Sequence, residues 1–143
     1  MAETYAREVA GVDSIPSLKS EGGLVGGRLR RFRATVDMDG QASGDTIVLA
    51  DIPAGHAFAF GVITASATLG ASATLAVGVA GTAAKYRAAA TFTTANTPTF
   101  FGTADGASGA ALTDGERVIA TVGTASLPDS TGYFVVDLYY SAP

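Results

Sequence analysis

The feature that most narrows what this chain can fold into is an apolar–polar alternation of period two. It begins at Arg28 and recurs in short runs, broken by glycine and proline, as far as Ser141. Successive side chains of an extended strand point to opposite faces, so this period marks segments with one dry and one wet side. In the first run Phe32, Ala34, Val36 and Met38 share a face, with Arg31, Arg33, Thr35, Asp37 and Asp39 on the other. Gly40 and Gly44 bracket a turn, and Thr46 to Ile52 forms a second run that stops at Pro53-Ala54-Gly55. In the third, His56, Phe58, Phe60 and Val62 alternate with Ala57, Ala59, Gly61 and Ile63. Gly70 marks another turn, after which Ala73, Leu75, Val77 and Val79 alternate with smaller residues.

Shorter strand candidates cover 86–93 and 97–103, and the Gly-, Ala- and Asp-rich stretch 104–115 reads as a loop. Residues 117–123 read as a strand and 128–132 as a turn. Residues 132–141 then form the clearest strand, with Phe134, Val136, Leu138 and Tyr140 opposed to Tyr133, Val135, Asp137 and Tyr139. About eight short strands punctuated by turns predict an all-β domain over 28–143, an antiparallel β-sandwich of jelly-roll type. Its core rests on the larger apolar residues, because 28 of the 143 residues are Ala and 18 are Gly. Small side chains bury little area at roughly 25 cal/mol per Å², which favours oligomerisation.

Residues 1–27 follow no such period. They hold Pro16, the pairs Gly22-Gly23 and Gly26-Gly27, and scattered apolar side chains. Residues 3–9 suit a short helix, which is marginal in isolation, and extended chain follows. Two readings apply: a disordered terminus, or an arm whose Tyr5, Arg7, Val9, Val12, Ile15 and Leu18 dock on a neighbouring subunit. The N-terminus lacks the basic-then-apolar order of a signal peptide. No apolar run nears the roughly 18 residues that span a bilayer. The expectation is a chain made and soluble in a cytoplasm, with no membrane partner.

The residues for chemistry are scarce. There is no Cys and one His, so neither a thiolate metal site nor a histidine cluster can be built. His56 lies just after a turn and in phase with Phe58 and Phe60, which suits a structural role. Asp37-Met38-Asp39-Gly40-Gln41 resembles the start of a calcium loop, but position twelve, where such a loop needs Glu, is Val48. The glycines of 22–27 precede a strand and lack the Gly-Lys-Ser/Thr of a phosphate loop. With no Trp, an aromatic sugar platform is also disfavoured. The expectation is no enzyme, no cofactor, no metal and no small-molecule substrate.

The net charge of −4 is unevenly spread: residues 1–33 carry +2 and the remainder −6. Arg28, Arg30, Arg31 and Arg33 form the densest charge. Alternation sends Arg31 and Arg33 to one face and Arg28 and Arg30 to the other, unlike a one-sided phosphate stripe. The cluster suits a salt-bridged first strand or a contact to an acidic neighbour better than it suits nucleic acid. Asp137, alone among apolar residues, is expected to face solvent or pair with an Arg. The Tyr133, Val135 and Tyr139 face is either an oligomer interface or the second buried face of a central strand.

The order of several motifs resembles that of small virion proteins of tailed bacteriophages. They are Gly44-Asp45-Thr46-Ile47 leading to Pro53-Ala54-Gly55, then Thr68-Leu69-Gly70-Ala71-Ser72 to Val77-Gly78, then Lys85-Tyr86-Arg87-Ala88-Ala89, and finally Gly132-Tyr133-Phe134-Val135-Val136-Asp137-Leu138-Tyr139-Tyr140-Ser141. The resemblance implies a head decoration (cement) protein. Such a protein is a β-sandwich oligomer, most often a trimer, which binds the major capsid protein on the outside of the shell and braces neighbouring capsomers. It implies no catalytic residues. A head-fibre base, a tail protein and a carbohydrate-binding adhesin sandwich are the alternatives.

Overall fold

The computed structural model describes residues 4–7, 9–11, 14–20 and 22–142. Eight strands run in chain order: β1 Arg28–Asp39, β2 Thr46–Ile52, β3 Ala57–Ala65, β4 Thr74–Val79, β5 Thr82–Ala90, β6 Thr99–Phe101, β7 Glu116–Gly123 and β8 Asp129–Ala142. All pairings are antiparallel, and no helix occurs among the described residues.

The pairs nest: β1 with β8, β2 with β7, β3 with β6 and β4 with β5. Rolling that nested ribbon on itself brings β3 beside β8 and β4 beside β7. The result is two sheets, β1-β8-β3-β6 and β2-β7-β4-β5. This nesting is that of a jelly roll, one of the sandwich topologies that eight strands allow. Between the sheets lie Met38, Ile63, Leu75, Val118, Phe134 and Leu138, each essentially inaccessible to water.

Strand β8 follows its expected alternation, with Phe134, Val136, Leu138 and Tyr140 inward. Strand β1 does likewise with Phe32, Ala34, Val36 and Met38. Three local expectations are corrected. Residues 129–132 are not a turn but the start of β8, because β1 continues to Asp39 and offers Asp129 a partner. Strand β5 begins at Thr82, not Tyr86, because Ala80-Gly81 reverses the chain at once and pairs Thr82 with Val79. In β3 the expected face of His56, Phe58, Phe60 and Val62 is broken at Ala59. The partners Tyr140 and Tyr139 face Phe58 and Phe60, leaving Ala59 as an extra residue. Such a bulge reverses the alternation beyond it. Phe58 therefore points into the core, whereas after the bulge Ile63 and Ala65 do so and Phe60 and Val62 lie outside.

Gly61 answers a close approach. Its partner in β6 is Phe101, whose ring lies across it, and a Cβ at Gly61 would sit 2.2 Å from the ring Cζ.

The segment before β1 is curled where an extended arm was expected. Leu18 N–H donates to the Gly11 carbonyl at 2.8 Å, and the Ser14 hydroxyl bonds the carbonyls of Gly11 and Pro16. Of the helix expected over 3–9, residues 3 and 8 lie outside the described residues. Over the rest the chain makes a turn, with Val9 N–H on Ala6 O.

Candidate functional site

The outer face of the β1-β8-β3-β6 sheet collects the side chains that the core cannot use. Its register builds rows across the strands: Arg31, Tyr139 and Phe60 in one, then Arg33, Asp137, Val62 and Phe100 in the next. Thr35, Val135 and Thr64 form a third row, and Asp37 and Tyr133 a fourth. Five of the residues singled out from sequence, Arg31, Arg33, Tyr133, Val135 and Tyr139, thus share one surface.

Its polar centre is Asp137. Arg33 grips the carboxylate with both arms of its guanidinium, Nε to Oδ1 at 2.8 Å and Nη2 to Oδ2 at 2.7 Å. Arg31 stands 4.0 Å away on the same carboxylate. The side chain of Asp137 is 12% exposed, so the fork both neutralises it and satisfies its oxygens. The Arg33 hydrogen bonds hold the Asp137 carboxyl below its ordinary value of 3.8, against the effect of burial. A carboxyl with a depressed folded pKa contributes stability above the unfolded value and loses it as pH falls through the folded one. Stability is therefore expected to drop below about pH 4, and Asp137→Asn to flatten that drop. Denaturant titrations of both proteins between pH 2 and 6 check this. Equal slopes would show that the pair does nothing for folding, as holds for many exposed ion pairs.

Aromatic rings flank the ion pair. Phe60 and Tyr139 stack at 4.7 Å and 20°, and Phe100 leans on Phe60 at 5.7 Å. Phe100 is 72% exposed and Tyr133 46%. Arg33, Thr64, Asn96, Tyr133 and Val135 border a shallow groove of about 210 Å³ beside the ion pair. This face belongs to a central strand, yet it is half open rather than buried. Phe60, Val62 and Phe100 were not singled out from sequence, since the bulge at Ala59 that turns the first two outward has no local signature.

Arg28 and Arg30 fall on the opposite side of β1, in phase with Phe32, and both are exposed. Among the described residues no carboxylate lies within ion-pair distance of either. In the N-terminal segment Tyr5, Arg7, Ile15 and Leu18 are exposed, Ile15 completely, and Val9 is half-buried. Val12 lies outside the described residues. Arg7, Leu18, Lys19 and Leu24 line a cleft of about 460 Å³ with Ser108, Gly109 and Ala110, so the segment lies along the 104–115 loop of its own chain.

Elsewhere, polar side chains close their own bonds. Gln41 locks the acidic hairpin turn, its amide donating to Asp37 O and its Oε1 accepting from Asp39 N–H. His56 sits at the mouth of β3, with its ring edge-on to Phe32 at 5.9 Å. Glu116 accepts from Lys85 Nζ at 2.5 Å, from the Tyr86 hydroxyl, and from the Tyr140 hydroxyl at 3.3 Å. Burial pushes both phenols up, keeping them protonated donors. Burial pulls the Lys85 ammonium down, but its bonds to Glu116 and Tyr86 more than offset this and hold it charged. The result is a polar knot of one carboxylate, one ammonium and two phenols that ties β5, β7 and β8 together.

No protein-family model matches the sequence, and no curated protein matches it. Solved structures do. A chain of the cyanophage Pam1 capsid asymmetric unit superposes with TM-score 0.64 at 22% identity, over 88% of this chain and 93% of that one. A chain of the Ralstonia phage GP4 capsid gives 0.63 at 18%, over 82% and 84%. One from the acid-stable capsid of Helicobacter pylori bacteriophage KHP30 gives 0.51 at 14%, over 80% and 88%. At these identities the likeness is one of fold.

Proposed function

We propose that this chain is a structural protein of a tailed-phage head, bound to the outside of the shell, where it braces contacts between capsomers. The observation that carries this reading is the near end-to-end match of the jelly roll to a chain of similar length in a phage capsid. Two further capsids supply the same fold. The surface fits such a role. A half-open sheet face with an Arg–Asp centre and an aromatic flank offers area and shape rather than a reactive cleft. Residues 1–27 act as an attachment arm, releasing the 104–115 loop to lie on a neighbouring subunit, and the functional form is a homo-oligomer, most simply a trimer.

Mixing the purified protein with mature shells that lack it tests the reading. Stoichiometric co-sedimentation is expected, together with shells that survive a higher temperature, and no binding would overturn it. Deleting residues 2–25 is expected to leave the thermal unfolding of the β domain in place while weakening attachment at least tenfold. A truncated protein that no longer folds would place the segment in the core instead.

A further inference from the structure

Strand β1 is the longest at any sheet edge, spanning Arg28–Asp39, and it has one neighbour only. Its pairing with β8 is unbroken from Arg28 opposite Ala142 to Asp37 opposite Tyr133, and slips once before Asp39 meets Asp129. Among the described residues nothing pairs with its other edge, the segment before it included. An open edge presents a row of N–H and C=O groups that templates another strand.

What the edge accepts is set by its charges. Residues 28–31 are exposed on both faces of the strand, and so is Arg33. The arginines lie on both sides of the sheet, Arg28 and Arg30 on one and Arg31 and Arg33 on the other. That arrangement is poor for a phosphate backbone lying against one face. It suits an incoming strand, whose own side chains alternate between the same two faces. Arg31 and Arg33 already share the single carboxylate of Asp137, and Arg28 and Arg30 have no described acidic partner, so the edge is left with an excess of positive charge. A second copy of β1 would set arginine against arginine, which cross-strand pairing disfavours. The acids of the strand, Asp37 and Asp39, sit at its far end and repel an acidic strand there.

We propose that residues 28–33 of β1 are an addition site for an extended acidic segment of the shell protein. That segment adds to the β1-β8-β3-β6 sheet as a fifth strand, its carboxylates alternating between the two arginine pairs. This rests on the shell-binding reading and names the contact that would achieve it.

Residue-resolved amide hydrogen exchange on the full-length protein, free and bound to shells, tests it. Strand addition protects only those amides of 28–33 that β8 does not already hold, so an alternating gain of at least tenfold is expected. Arg28→Glu with Arg30→Glu is expected to weaken shell binding at least tenfold, and Arg28→Lys with Arg30→Lys to keep it near wild type. Shell-bound protein whose β1 amides exchange as in the free form would overturn the inference while leaving shell binding intact. So would undiminished binding by the double Glu variant. Failure of the wild type to bind shells at all would bring down both.

Discussion

Glu116→Leu is expected to destabilise the protein by about 3–5 kcal/mol, the range for stripping one partner from a buried charged network. The carboxylate accepts from two phenols that are 1% and 0% exposed, Tyr86 and Tyr140, as well as from Lys85. Leucine strips both hydroxyls of their carboxylate acceptor, and because the two phenols lie within reach only of each other, at least one buried donor is orphaned, at about 1–3 kcal/mol. Lys85, with its side chain 30% exposed, can turn to solvent and adds less. The same reasoning gives a rescue. Adding Tyr86→Phe and Tyr140→Phe removes the orphaned donors, and the triple variant is expected to regain most of the loss. The rings keep their packing, Phe58 against Tyr86 at 4.2 Å and against Tyr140 at 5.4 Å. Urea denaturation of the single and triple variants decides the matter, and a triple variant no more stable than the single one would refute the account.

The second large effect is expected at Gly78. Between the pairs Val77–Arg87 and Val79–Thr82, this one residue of β4 faces residues 83–86 of β5. The surplus chain folds over it, and a Cβ at Gly78 would lie 2.2 Å from the Thr82 carbonyl oxygen and 2.6 Å from Ala83 C. Backbone cannot rotate away as a side chain can, so Gly78→Ala must reopen the bulge. A loss of about 3 kcal/mol is expected, at the upper end for overpacking, or about 10 °C in Tm for a domain of this size. The bulge also carries Lys85 and Tyr86, so its displacement strains their bonds to Glu116. Gly81 is the control. It has φ +84 with open space around it, so Gly81→Ala carries only the left-handed penalty of about 1–2 kcal/mol. Calorimetry that ranks Gly81→Ala as the worse change would count against this picture of β5.

A related feature holds the other end of that hairpin. The register between β4 and β5 slips again between Leu75–Ala90 and Val77–Arg87, and slips of this kind leave carbonyls without ladder partners. The half-buried Arg87 guanidinium donates to the carbonyls of Leu75 and Ala90. Burial pulls its pKa down, and the bonds go to backbone instead of to a carboxylate. Nothing in the run Lys85-Tyr86-Arg87-Ala88-Ala89 announces that role, because the demand comes from a slipped pairing partner.

Alternation is a property of the extended backbone itself, and so the sequence by itself determined the all-β class, most strand positions and the inward faces of β1 and β8. It also placed Asp137 against an arginine or solvent, since a lone acid in an apolar strand allows little else. Pairing is different. Which strands neighbour one another, and in what register, depends on contacts far apart in the chain. Only the tertiary structure put Arg33 beside Asp137, joined Glu116 to tyrosines from β5 and β8, and nested the strands into a jelly roll. It alone turned Phe60 outward onto Tyr139, because one extra residue at Ala59 reverses every side chain after it. A bulge is stabilised by the neighbouring strand and not by its own residues, and for that reason the half-open aromatic face, the candidate site, was the part least visible in the sequence.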